Sequence, residues 1–279
     1  MAINNFIPTV WSETLYRELD KEYVGVRHCN RDFEGDIRAK GDTVKICGIG
    51  DVSVFDYTKN TDMSAPETLS DSVRTLSIDR AKAFNFQIDD IDRAQQSPKV
   101  MGEAMRKAAA ALADSADSYI YSLYTDVTEE NTIKKTGFKY SDVLDTLIEA
   151  RKRLLANNVS GGTETVLEVS PDVAALILKS KIIESDSNTE TLECGYIGSF
   201  IGFKIYVSNN VAEADEDGKK YFKCYARTKR AISFAEQLSE INAYRPEKRF
   251  ADAVKGLHLY GAQIIYPTEM VRLDLTVAA

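Results

Sequence analysis

The chain reads as an α+β protein, and three observations carry that reading. Residues 99–124 repeat apolar side chains at helical spacing, with Met101, Met105, Ala108, Leu112, Ala116, Ile120 and Leu123 on one face. Residues 43–57 alternate at period two, Val44 and Ile46 against Thr43, Lys45 and Cys47, which is the pattern of a hairpin or a pair of strands. Residues 203–207, 221–225 and 231–235 read as further strands separated by acidic turns such as EADEDGKK.

In chain order, the first element is a short helix. Ser12 stands where an N-cap belongs, and Leu15, Leu19 and Tyr23 fall at i, i+4 and i+8, a stripe that lies against a core or a neighbour. Phe6, Ile7 and Trp11 precede it in an apolar arm through Pro8, and such an arm docks either on its own chain or on another subunit. The segment from Asn30 to Ile46 then reads NRDFEGDIRAKGDTVKI, charged residues punctuated by Gly35 and Gly41, with Gly48 just beyond. It looks like a chain leaving a helix, turning and sending a two-stranded projection away from its own core.

Gly48, Gly50 and Asp51 mark a turn or bulge, after which Val52 and Val54 resume the alternation. Residues 59–72 are polar and contain Pro66; Val73, Leu76 and Ile78 then start another strand. Few large apolar side chains lie between residues 43 and 72, so an arm built from them is marginal alone and expects contacts made elsewhere. The run QIDDIDR follows a strand, and its acids Asp89, Asp90 and Asp92 are assigned a structural or intersubunit role.

The long helix begins after Ser97 and Pro98. Four alanines at 108–111 raise its intrinsic propensity, and its length is about 39 Å at 1.5 Å per residue. A stripe of alanine lets a sheet or a second backbone come close. After the polar residues 125–139, Ser141 caps a helix reaching about Asn157, with Val143, Leu147 and Leu154 on one face and Asn158 as its stop. A strand at 165–169 leads into Ser170-Pro171-Asp172, a strong helix start for a short helix to Lys179. Beyond the polar loop at 184–193, Gly195, Gly198 and Gly202 are spaced G-x-x-G-x-x-x-G, which is neither the dinucleotide nor the P-loop form. They read as tight turning and close backbone approach beside a strand.

With 279 residues, 44 % of them apolar, the chain can bury a sizeable core in one large domain or two intimately joined ones. Acids outnumber bases 43 to 35, a formal charge of -8, which argues against a protein whose main task is to grip phosphate backbones. No run approaches the roughly 18 apolar residues of a membrane span, and the N-terminus lacks the basic head and apolar core of a secretion signal. Cys29, Cys47, Cys194 and Cys224 form no C-x-x-C pair and read as reduced thiols acting as small apolar side chains. His28 beside Cys29 offers two adjacent ligands with no matching pair, a poor basis for a zinc site. There is no G-x-S-x-G and no H-E-x-x-H, and the only histidines are His28 and His258. The sequence therefore nominates no catalytic, cofactor-binding or metal-ligating residue, and the expectation is a protein that is not an enzyme.

The order of the arm with PTVWSE, the helix after it, NRDFEGDIRAKGDTVKI, the strand pair with IGDVSVFDYT, FNFQIDDIDRAQ and the alanine-rich helix resembles the major capsid proteins of tailed bacteriophages, the Hong Kong 97 type. Later, GYIGSFIGFKIYVSNNV and KGLHLYGAQIIYPTEMVRLDL are similar to that family's second half, so the resemblance runs nearly end to end.

The resemblance implies an N-arm at residues 1–35 and an extended E-loop at 36–75 lying across a neighbouring subunit. It implies a peripheral domain at 76–139 and 246–279 with the spine helix at 99–124, and an axial domain at 140–245. Residues 257–265 and 271–277 would together complete the peripheral-domain sheet. The implied function is self-assembly through pentamers and hexamers into an icosahedral shell enclosing packaged double-stranded DNA, a non-specific neighbour. Implied partners are other copies of the chain, a scaffolding protein, a portal and a decoration protein, with no membrane. The N-arm starts within a few residues of Met1, so either the chain is already mature or scaffolding comes from a separate protein, and Met1 favours the second. The place implied is the virion capsid, assembled in the host cytoplasm. Candidate intersubunit contacts are Phe6, Trp11, Arg31, Asp32, Glu34, Asp36, Arg38, Asp51, Asp56 and Lys59. Lys59-Asn60 lies where some relatives cross-link, but one dipeptide does not support that chemistry, and no cross-link is expected. Two other readings stay open: an encapsulin-like compartment enclosing a protein cargo, and a soluble metal-dependent α+β enzyme.

Overall fold

Among the described residues the periodicities resolve into helical residues at 15, 17–19 and 22, one long helix, two shorter ones and three sheets. The computed structural model describes residues 15, 17–19, 22–33, 41–49, 56, 59, 71–89, 100–181, 195–216, 218–248 and 250–277. Its strands are β1 (Thr43–Ile49), β2 (Asp71–Ser77), β3 (Arg80–Asp89), β4 (Thr132–Phe138), β5 (Thr165–Val169) and β6 (Tyr196–Phe200). Then come β7 (Phe203–Val207), β8 (Glu213–Glu216), β9 (Lys219–Thr228), β10 (Ile232–Tyr244), β11 (Ala251–Ile264) and β12 (Met270–Val277). The helices are α1 (Val100–Ser122), α2 (Val143–Ala156) and α3 (Pro171–Ser180).

β1 and β2 pair antiparallel, Thr43 opposite Ser77 and Ile49 opposite Asp71, and form a two-stranded arm of their own. A three-stranded sheet in the order β10-β11-β3 lies beneath it, and α1 packs on this sheet's other face. The helix buries Met105, Leu112, Ala116 and Ile120, as its spacing predicts, and Tyr119 meets Tyr260 of β11 with ring centroids 5.7 Å apart. Leu15, Leu19 and Tyr23 are buried as a stripe, while the expected cap Ser12 lies outside the described residues, as do Val52 and Val54.

The larger sheet has the order β4-β12-β9-β5-β7-β6, with β8 added on β9. Here the structure departs from the expectation that residues 257–265 and 271–277 share a sheet. β11 belongs to the three-stranded sheet, whereas β12 lies between β4, which it parallels, and β9, which it opposes. β4 belongs with this larger sheet, and β10, much longer than the expected 231–235, with the smaller one. Alternation tells which face a side chain takes but not which strand lies beside it. The residues of β12 from Met270 to Leu275 are all buried, the mark of a strand covered on both faces. Its charges are paired inside the sheet: Lys223 of β9 lies 3.0 Å from Asp274 and 2.5 Å from Glu216.

Local chemistry sets the ends of the shorter helices. Ser170 accepts the Val173 N–H at 3.4 Å and Pro171 occupies the first turn of α3, as expected. Ser141 does not cap α2. The chain enters through a 3-10 turn, Tyr140–Asp142, where the Asp142 carboxylate accepts the Lys139 N–H at 3.1 Å and the Ser141 hydroxyl donates to Asp142. The Asp142 carboxylate thus closes the turn onto Lys139 and makes no side-chain bond to the amides of α2. Asn158 ends the helix at φ 62°. The glycine run behaves as expected: Ile201 and Gly202 make a two-residue turn between β6 and β7 at φ 49° and 79°. A Cβ on Gly195 would lie 2.6 Å from the Val207 carbonyl oxygen.

Candidate assembly site at the root of the arm

The arm rests on the three-stranded sheet through a small apolar contact. Ile46, Leu76 and Ile78 meet Ala235, Leu259 and Ile265, with Phe33, Val44 and Leu257 at the margin. The seat is bare backbone at one point: a Cβ on Gly261 would lie 2.1 Å from the Ser77 carbonyl oxygen and 3.1 Å from the Ile78 Cα. Only hydrogen fits where the chain turns from β2 towards β3. Arg74 donates to the Ile264 carbonyl at 2.9 Å, and the root closes with Gly41 N–H to Ile78 O at 2.9 Å and Ile78 N–H to Asp42 O at 3.1 Å.

Immediately before the arm, residues 22–33 are held from three sides by buried carboxylates. Asp117 of α1 accepts the Val24 and Val26 N–H groups, each at 2.9 Å. Glu168 of β5 takes both Nε and Nη2 of Arg227, at 3.0 and 2.9 Å, and lies 3.2 Å from His28 Nδ1. Arg227 in turn donates to the Gly25 carbonyl at 2.8 Å and to the His28 carbonyl. Glu236 of β10 accepts from the Tyr23 hydroxyl, from Arg31 at 2.5 Å and from His258 Nε2 at 2.8 Å. Asn30 adds a single rung to β10, donating to Ile232 O at 2.8 Å and accepting from Phe234 N–H at 2.9 Å.

Electrostatics separates these carboxylates. Burial pushes the Asp117 carboxyl up to about 6, against the pull of the backbone N–H donors of Val24, Val26 and Gly25. Burial would also raise Glu168, but Arg227 and His28 outweigh it and hold that group below its ordinary value. Glu236 follows the same balance, with His258, Arg31 and Tyr23 prevailing over burial. All three are buried and anchor a chain segment. The buried thiols of Cys29 and Cys224 are each pushed up to about 12 by burial, which makes them inert, in line with their reading as apolar side chains. Among the described residues, no group of three or more His, Cys, Asp or Glu is placed to hold a metal ion, and no helix is long and apolar enough to cross a membrane.

Of the residues nominated from the sequence, Arg31 is half-buried and turned inward to Glu236. Asp32 is exposed and its N–H donates to Asn30 Oδ1 at 3.2 Å; Asp56 and Lys59 are exposed. Phe6, Trp11, Glu34, Asp36, Arg38 and Asp51 lie outside the described residues. Sequence reasoning missed Asp117, Glu168, Arg227, Glu236 and Gly261. One signal was present: a lone glutamate inside the otherwise apolar TVLEV needs a buried partner. The outward surface also carries apolar side chains, with Leu144, Ile148 and Leu155 exposed along α2 and Phe250 exposed before β11.

The model of a family described as phage capsid protein matches residues 73–273. Among solved structures, one from Mycobacterium phage Che8 is 28% identical, covers 98% of this chain and 98% of that chain, and superposes with a TM-score of 0.67. The capsid of Ralstonia phage GP4 matches at 10% identity over 90% of this chain and 86% of that one, with a TM-score of 0.69. The holo-SrpI encapsulin complex from Synechococcus elongatus PCC 7942 matches at 13% identity over 87% and 85%, with a TM-score of 0.58. The last two are similar in fold alone. No curated protein matches the chain.

Proposed function

The chain belongs to the phage capsid protein family, and from that premise we propose that its copies assemble through rings of five and six into a closed icosahedral shell around double-stranded DNA. It is a capsid subunit with the Hong Kong 97 fold. The observation that carries the proposal is the arm: two paired strands whose described residues bury Ile46 and Leu76 only where these, with Ile78, meet Ala235, Leu259 and Ile265. A two-stranded ribbon of that kind is marginal in water and gains its order from a neighbour. Residues 36–75 then form the E-loop, residues 1–35 the N-arm, α1 with the three-stranded sheet the peripheral part, and the larger sheet with α2 and α3 the axial part.

Assembly on this reading sums modest contacts. Strand edges, charged rims and exposed apolar side chains such as Leu144 and Ile148 are each weak in a single pair and strong once many act together in a closed shell. The charge of -8 suits a container that lets DNA enter and leave. The role is structural rather than catalytic. A scaffolding protein, a portal and a decoration protein complete the particle, which forms in the host cytoplasm and becomes the virion capsid.

Expression of the chain with its genomic neighbours, followed by size-exclusion chromatography and negative-stain microscopy, tests the proposal. Rings or shells are expected, holding nucleic acid at most weakly at low salt. A stable small oligomer that binds a metabolite would overturn the assembly reading. Shells filled with a protein cargo, or shells that retain DNA tightly at low salt, would overturn the DNA-container part of it.

A further inference from the structure

Beside the arm root lies an open cleft of about 430 Å³. Phe33, Ile46 and Ile265 give it an apolar floor, and Lys229 and Arg230, on the turn between β9 and β10, give it a basic mouth. Ser233 lines the cleft although it is only 1% exposed, and its Oγ has no hydrogen-bond partner among the described residues. A buried hydroxyl left unpaired is a standing cost that an arriving polar group removes. Arg230 lies 4.9 Å from the centre of the Tyr266 ring and 3.8 Å from Glu269, so it is partly neutralised. Lys229 is exposed and makes no hydrogen bond or ion pair among the described residues; Asp32 is the acid that also lines the cleft.

We infer that this cleft receives an acidic segment of a second copy of the chain. An apolar side chain of that segment fills the floor, a carboxylate meets Lys229 and Arg230, and a polar group pairs with Ser233. Charge and shape select the occupant. Acids outnumber bases 43 to 35, so another copy has acidic segments to offer a basic mouth. A nucleic-acid phosphate would meet the same cations, but it brings no apolar group to cover Phe33, Ile46 and Ile265. The cleft also adjoins the arm, since Ile46 belongs to β1 and to the contact that seats it. A copy bound there presses on the same joint that aims the projection.

The inference rests on the assembly reading, and its test keeps the two apart. A photo-reactive phenylalanine in place of Tyr266, irradiated in assembled particles, should give covalent dimers whose junction maps by mass spectrometry to an acidic peptide of another copy. Shells that form yet give no intermolecular junction, or a junction to nucleic acid, overturn the inference alone. Wild-type protein that forms no rings or shells overturns both. Lys229→Glu with Arg230→Glu should lower the yield of shells about ten-fold at an unchanged thermal midpoint, because the mouth would then repel the acidic segment. Wild-type yield from that variant counts against the inference, and if its midpoint falls the cross-link decides.

Discussion

The two faces of the three-stranded sheet are built to different standards. On the α1 side, Phe234 and Tyr260 stack with ring centroids 6.0 Å apart, fully enclosed, within an apolar core that continues to the larger sheet. On the arm side, Ala235 and Leu259, the neighbouring residues of the same strands, complete a cluster of only six buried side chains with Ile46, Leu76, Ile78 and Ile265. The first face also carries the charge-locked segment at residues 22–33. One sheet thus has a face enclosed in the main core and a face that only seats the arm.

The largest expected effect comes from breaking the locked side. Arg227→Met leaves Glu168 buried without its bidentate partner, which costs about 3–5 kcal/mol by urea denaturation. Adding Glu168→Gln should restore part of that loss; a double variant no better than the single would refute the pairing as its cause.

Next is the pH response of Asp117, whose carboxyl rises from an ordinary 3.8 to about 6 in the fold. A raised value means that the folded state holds the proton more tightly. Its contribution is therefore complete below about pH 4 and disappears as pH climbs through about 6, a span of about 3 kcal/mol for a shift of ~2 units. Asp117→Asn removes that dependence, so the midpoint of the wild type should fall relative to the variant between about pH 4 and about pH 7. A constant difference across that window would contradict it. Glu168 and Glu236, held below their ordinary values, act with the opposite sign: their contribution is present above the ordinary glutamate range and is lost as pH falls below it.

The smallest change in stability, about 1–3 kcal/mol, is expected from Gly261→Ala, which overfills the arm's seat. Its consequence for assembly should be far larger than for folding. Hydrogen exchange at residues 41–49 and 71–77 should speed up while α1 stays protected, and rings should be lost on size exclusion. Normal shells from Gly261→Ala would show that the seat does not govern assembly.

Much of this division was legible in the residues. The helical stripe from Met105 to Ile120, the strand at Thr165–Val169 and the cap at Ser170 follow from local periodicity and capping chemistry, and each is found where the pattern puts it. The strand character of Thr43–Ile49 and of the segment around Leu76 was also visible in the alternation, but residues 43–57 read as a hairpin or a pair of strands, whereas the strand beside Thr43–Ile49 is Asp71–Ser77. What stayed hidden is non-local. Glu236 and Tyr23 are 213 positions apart, and nothing in either neighbourhood names the other. Gly261 sits in a strand that would tolerate alanine if the turn above it passed slightly higher. The neighbours of β12 were misassigned for the same reason, since strand partners are a property of the whole chain.

The position of β12 has a consequence for timing. It divides β4 from β9, yet it is synthesised after every other described strand. Until Met270–Val277 leaves the ribosome, β4 has no partner and one edge of β9 stands open along Phe222–Arg227, so the larger sheet exists only as two pieces. Long-range parallel pairing of this kind is slow, because loop entropy must be overcome before the contacts form. A chain without β12 therefore lacks the strand that joins the two sides of the larger sheet.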